Sequence, residues 1–110
     1  MNIWNNLNIK PMLLSEIDKP FNSIDYLFEL KFDGVRAIIF ASPEKIKTLN
    51  RHSEDITCLY PELENIKNIV TNNTIFDGEI VSFVNGLPSF SKLQERIHLK
   101  NKDKIKFAAQ

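Results

Sequence analysis

The chain has 110 residues, with 14 Lys+Arg against 14 Asp+Glu, two His, one Cys and 43% hydrophobic residues. This is enough to bury one core but too little for two independent domains, and a 25% charged share with ordinary apolar content excludes wholesale disorder, a collagen-like repeat and a disulfide scaffold. Zero formal net charge argues against a domain that binds nucleic acid by global attraction alone.

The first 25 residues carry Pro11, Pro20 and scattered polar residues without a sustained period, and read as an N-terminal arm of extended chain and short helical turns packed on a neighbour. Residues 1–10 lack the apolar core of a signal peptide, and the longest apolar run, residues 37–41, is far short of the roughly 20 needed to span a bilayer. From residue 26 the chain alternates strictly, Phe28, Leu30 and Phe32 against Glu29, Lys31 and Asp33, which predicts a half-buried strand. Asp33-Gly34 separates this run from the β-branched and aromatic residues 35–40, so the pair reads as a hairpin or a tight loop between neighbouring strands. A third strand is predicted over residues 45–50.

Residues 60–70 place Leu63, Ile66, Ile69 and Val70 at helical spacing behind Pro61, which predicts a short amphipathic helix. Residues 74–83 alternate again and lead to Asn85-Gly86, a strong turn signal, and residues 88–98 carry Phe90, Leu93 and Ile97 at the three- and four-residue spacings of a second helix. Six basic residues (Lys92, Arg96, Lys100, Lys102, Lys104, Lys106) face only Glu95 and Asp103 near the end, a segment that could touch phosphates or simply be solvated. The closing residues return to polar alternation and stop on Phe107-Ala108-Ala109 without a cap, as though cut inside a fold. The expected class is α+β: a mostly antiparallel sheet of four or five strands with the two helices packed on one face.

The residues with the strongest chemical content are Glu29-Leu30-Lys31-Phe32-Asp33-Gly34-Val35-Arg36. A lysine is a poor nucleophile while protonated, and Glu29 and Asp33 favour its ammonium form, so covalent use of Lys31 needs countering cations, a divalent metal or burial. Alternation alone fits an amphipathic strand with a solvated ladder of ion pairs. A Lys-Xaa-Asp-Gly-Xaa-Arg string, however, arises by chance in a chain this long on the order of one time in a thousand. The lone Cys58 offers no disulfide and no cysteine metal cluster, and points to a reducing, cytoplasmic setting. His52 and His98 have no metal-ligand spacing.

The string resembles the nucleophile motif of the covalent nucleotidyltransferases, which comprise ATP-dependent DNA ligases, RNA ligases and mRNA capping enzymes, with Glu29 favouring the ligase branch. Asn50-Arg51-His52-Ser53-Glu54-Asp55 is similar to the segment whose arginine contacts the nucleotide, Phe76-Asp77-Gly78-Glu79-Ile80 to the strand bearing a ribose- and metal-associated glutamate, and Phe90-Ser91-Lys92-Leu93-Gln94 to the helix after it. Pro11-Met12-Leu13 followed by Pro20-Phe21 resembles the approach to the motif in bacterial end-joining ligases.

The resemblance implies Lys31 as the residue that takes AMP from ATP, Glu29 at the adenine edge, Arg36 and Arg51 near the ribose and α-phosphate, and Glu79 at the ribose or a Mg²⁺ or other divalent ion. It implies DNA nick sealing in repair and recombination, with ATP and nicked or broken double-stranded DNA as partners, alongside end-joining repair proteins and without a membrane. It also implies that residues 1–110 are the N-terminal portion of an adenylation domain (arm 1–25, sheet and helices 26–110), without the C-terminal part or the OB-fold, and nearly inactive alone. Two other readings stay open: a non-catalytic module that binds a nucleotide or a partner, distinguished by a well-packed sheet edge at residues 100–110, and an RNA ligase or capping-type enzyme.

Overall fold

The computed structural model describes residues 3–7 and 9–110; Met1, Asn2 and Asn8 of the expected arm lie outside the described residues. The element order is α1 (Ile3–Asn6), β1 (Val35–Ala41), β2 (Ile46–Asn50), β3 (Thr74–Ile80), β4 (Phe83–Val84), β5 (Leu87–Pro88), α2 (Phe90–Ile97) and α3 (Lys102–Ala108), with 3-10 turns over Thr57–Leu59 and Pro61–Asn68 between β2 and β3.

β1 is the centre of an antiparallel sheet ordered β2-β1-β3. Its sequence VRAIIFA puts Ile38 and Phe40 beyond Arg36 on one face and Val35, Ala37, Ile39 and Ala41 on the other, as a strand covered on both sides over most of its length requires, and Ala37, Ile38, Phe40 and Ala41 are buried. The turn into β2 is closed by Ser42, whose N–H donates to the Lys45 carbonyl (2.9 Å) while its Oγ accepts from the Lys45 N–H (3.1 Å). One face packs Ile38, Phe40 and Leu49 under Trp4, Leu7, Ile9 and Ile75, with Trp4 edge-on to Phe40 at 5.8 Å. The other cluster joins Ile56, Tyr60 and Leu93 to Val35, Leu63, Ile80 and Ile97, which brings the Pro61–Asn68 turns and α2 to a common side of the sheet.

The α+β class and the antiparallel sheet with packed helices match expectation, with the strands divided between the three-stranded sheet and the β4-β5 hairpin. That hairpin turns at Asn85-Gly86, both at positive φ (50° and 78°), as the sequence predicted. Three local expectations are corrected. Residues 26–32 form no strand: they pair with neither outer edge of the β2-β1-β3 sheet, and Phe28, Leu30 and Phe32 are exposed at 61%, 81% and 42%, so the alternating face has neither a backbone partner nor a surface to bury against. The Asp33-Gly34 step is therefore a lead-in to β1, not a hairpin.

The expected helix over residues 60–70 is a run of 3-10 turns. α2 holds it in place: Arg96 donates through Nη2 to the Leu59 carbonyl (2.8 Å), binds Glu62 with both Nη groups, and lies 4.9 Å from the centre of the Tyr60 ring. The end of the chain is α3 and not a sheet edge, because Asn101 caps it by accepting from the Asp103 and Lys104 N–H groups (2.9 and 3.1 Å). No helix among the described residues is long and apolar enough to cross a membrane.

Candidate active site

The β1–β3 register places Arg36 opposite Glu79 and Ile38 opposite Asp77, and directly opposed residues of an antiparallel pair share a face. Arg36, Asp77 and Glu79 therefore form the charged end of the face whose other end is the Ile38–Phe40–Leu49 cluster. Arg36 binds Asp77 side-on, Nε to Oδ1 at 2.6 Å and Nη2 to Oδ2 at 2.8 Å. This hydrogen bonding raises the Arg36 pKa, with the charges of Asp77, Glu79 and Glu29 adding to it against partial burial, and it holds the Asp77 carboxyl below the ordinary carboxylate range.

The loop before β1 is tied to the same end. The Gly34 N–H donates to Glu79 Oε1 at 3.1 Å, and a Cβ at Gly34 would lie 2.2 Å from the Ile80 carbonyl oxygen and 2.9 Å from Glu79 Cγ. Glycine is required here by close approach to β3, whereas the sequence suggested only a backbone turn. Lys31 Nζ donates to Asp33 Oδ1 at 2.6 Å. That bond, then the charge of Asp33 and the weaker field of Glu79, push the Lys31 amine upward and favour its ammonium form. The direction inferred from the sequence holds, with Asp33 as the main cause, while Glu29 acts on Arg36.

Four of the five sequence-predicted residues thus share one electrostatic neighbourhood: Lys31, Glu29, Arg36 and Glu79. Arg51 follows Asn50, the register partner of Ala37, and so stands at the Arg36 end of the sheet. Its Nε donates to His52 Nε2 (3.1 Å), in a turn that Asn50 Oδ1 closes on the His52 and Glu54 N–H groups (2.9 and 3.0 Å), so Arg51 is not joined to the cluster. Sequence reasoning missed Asp77 as a partner of Arg36. The signal was its two-residue spacing from Glu79 in an alternating run, but the partner becomes visible only through the strand register.

Among the described residues no group of three or more His, Cys, Asp or Glu side chains could hold a metal ion, so these side chains alone do not make a metal site. A cavity of about 740 Å³ opens between β4, α2 and α3, lined by Phe83, Lys92, Arg96, Leu99 and Phe107. Another of about 570 Å³ lies beside Trp4, Phe40, Lys47 and Asp55. Neither contains Lys31, Arg36 or Glu79, whose site is an open sheet face. Of the basic residues near the end, Arg96 is committed to Glu62 and Lys92 pairs with Glu95 at 2.7 Å.

Residues 11–110 match the family model described as ATP dependent DNA ligase domain. The chain is 40% identical over 93 residues to the SPbeta prophage-derived DNA ligase-like protein LigB of Bacillus subtilis, covering 84% of this chain and 34% of that protein. It is 33% identical over 107 residues to a DNA ligase of Staphylothermus marinus, covering 91% of this chain and 18% of the other. Among solved structures, the ligase domain of LigD from M. tuberculosis matches with a TM-score of 0.57 and 30% identity, over 61% of this chain and 23% of that one. The chain thus spans about a third or less of the length of these relatives.

Proposed function

The chain belongs to the ATP-dependent DNA ligase domain family, and on that premise we propose that it carries the part of an adenylation domain in which Lys31 receives AMP from ATP. The Lys31 amine attacks the α-phosphorus, a P–N bond forms as the bond to pyrophosphate breaks, and the amine's proton passes to solvent. The AMP is then transferred to a DNA 5′-phosphate, and the adjacent 3′-hydroxyl displaces it to seal a nick. Arg36 and Arg51 serve the ribose and α-phosphate, Glu29 the adenine edge, and Glu79 the ribose or a Mg²⁺ ion accompanying the triphosphate. Nicked or broken duplex DNA is the substrate of the whole enzyme. End-joining proteins are proposed partners by likeness to relatives named for non-homologous end joining, and the free thiol of Cys58 suits the cytoplasm.

The observation that carries this reading is the convergence of the Lys31 loop, Arg36 and Glu79 at one end of one sheet face, through the β1–β3 register and the Gly34–Glu79 hydrogen bond. The same geometry supports weak activity of these 110 residues by themselves, since Lys31 is held as an ammonium by carboxylates. The test is incubation with ATP labelled at the α-phosphate and Mg²⁺, followed by mapping of the labelled peptide. Trace label on Lys31, absent in Lys31→Arg, is the expected result. Label on another residue, or no label together with no ATP-induced NMR shift at Arg36 or Glu79, would overturn the assignment; efficient label would overturn the weak-activity reading.

A further inference from the structure

Asp77 stands two residues before Glu79 on the same face of β3, and it meets Arg36 with both carboxylate oxygens at 2.6 and 2.8 Å. A guanidinium has five N–H donors in a fixed plane. This side-on contact uses Nε and one hydrogen of Nη2, and leaves Nη1 without a partner among the described residues. An unheld arginine on an exposed sheet face would sample many rotamers, whereas two parallel bonds to a carboxylate on a paired strand fix both the plane and its free edge. Asp77 is itself placed by the ladder, opposite Ile38, which is buried at 1% exposure.

We propose that Asp77 is a positioning residue, which orients the Arg36 guanidinium so that its free edge meets a phosphate or ribose oxygen of the bound nucleotide. This rests on the assignment of Arg36 to the nucleotide made above. A carboxylate that instead sequestered Arg36 would compete with the anion, so the two roles differ in the sign of the effect. Asp77→Asn distinguishes them: it keeps one acceptor for Nε, sets an N–H donor against Nη2, and removes the negative charge.

The experiment measures binding of ATP with Mg²⁺ to the full chain, well below its melting temperature, for wild type, Asp77→Asn, Arg36→Lys and the double variant. Arg36→Lys keeps the charge and loses the fork. Positioning predicts that Asp77→Asn weakens ATP binding about three- to tenfold, and that the double variant is no weaker than Arg36→Lys alone. It also predicts that the Arg36 Nε–H NMR signal, sharp and slow to exchange in wild type, broadens in Asp77→Asn. A merely structural role would lower the melting temperature and leave affinity and non-additivity unmoved. Unchanged or tighter ATP binding by Asp77→Asn, with Arg36→Lys weakened, overturns the positioning role and leaves the nucleotide assignment standing. Equal binding by wild type and Arg36→Lys, or no binding by wild type, overturns that assignment and this inference with it.

Discussion

Gly34→Ala tests whether the loop that carries Lys31 is pressed against β3. An added Cβ would sit 2.2 Å from the Ile80 carbonyl oxygen, whereas carbon and oxygen rarely approach closer than about 3.3 Å. Relief therefore demands roughly 1 Å of separation. Applied to the 3.1 Å bond from the Gly34 N–H to Glu79 Oε1, that movement takes it beyond hydrogen-bond range. Overpacking costs about 1 to 3 kcal/mol, and the low end is expected because residues 26–33 are unpaired and yield more easily than the β1–β3 ladder. A loss of about 1 kcal/mol lowers the melting temperature by about 4 to 8 °C in a domain near this size. Thermal denaturation followed by circular dichroism reads the stability, and amide exchange at residue 34 reads the lost bond. Gly78→Ala is the control: nothing lies within 4 Å of its added Cβ, so it should be neutral or gain about 0.4 to 1 kcal/mol through the unfolded chain. Equal melting temperatures for wild type and Gly34→Ala, with the residue 34 amide still protected, would refute the close approach.

Thr48 is wholly buried, and its hydroxyl has no hydrogen-bond partner among the described residues, so Thr48→Val should raise stability by about 1 kcal/mol in urea denaturation. Arg96→Ala removes the Glu62 pair, the bond to the Leu59 carbonyl and the contact over Tyr60, and should cost about 2 to 3 kcal/mol, less than a fully buried pair because Glu62 is partly solvated. Lys92→Ala breaks only an exposed pair with Glu95 and should change stability by less than about 0.5 kcal/mol. Asp77 is held below its ordinary value of 3.8, chiefly by its hydrogen bonds to Arg36, and a depressed carboxyl contributes stability that is present above the unfolded value and lost as pH falls through the folded one. Asp77→Asn should therefore be less stable than wild type at neutral pH and lose less stability below about pH 4 in urea melts across pH. Because Asp33 raises the Lys31 amine above its ordinary 10.5, label transfer to Lys31 should climb steeply with pH through the neutral and alkaline range, each pH unit changing the free fraction about tenfold, and a flat profile from pH 7 to pH 10 would show the amine already free there, against the hold of Asp33.

The fold was legible where the chain's periodicity and its partners agree. β1, β2 and the Asn85-Gly86 turn follow from local composition, because a β-branched run flanked on both edges and a turn needing positive φ are each decided within a few residues. Residues 26–32 have as clean an alternation as any strand in the protein, yet pair with no strand among the described residues, since the pattern of one segment supplies neither a partner strand nor an apolar surface to cover its face. The turns over residues 61–68 show the same dependence on a partner: Arg96, some thirty residues later, fixes them through Glu62 and the Leu59 carbonyl.

In the site, alternation placed Asp77 beside Glu79, but only the register brings either of them to Arg36. That register also accounts for the electrostatics. Asp77 takes up the charge of Arg36, Asp33 that of Lys31, and Glu79 is shared between the Gly34 N–H and the field at both cations. Asp33 and Glu79 favour the protonated form of Lys31, while Glu29, Asp77 and Glu79 act on Arg36, so in the proposed reaction the deprotonation of Lys31 is to be driven by positive charge brought against this face, and the triphosphate's accompanying cation and further basic residues are the groups of the right sign to do it.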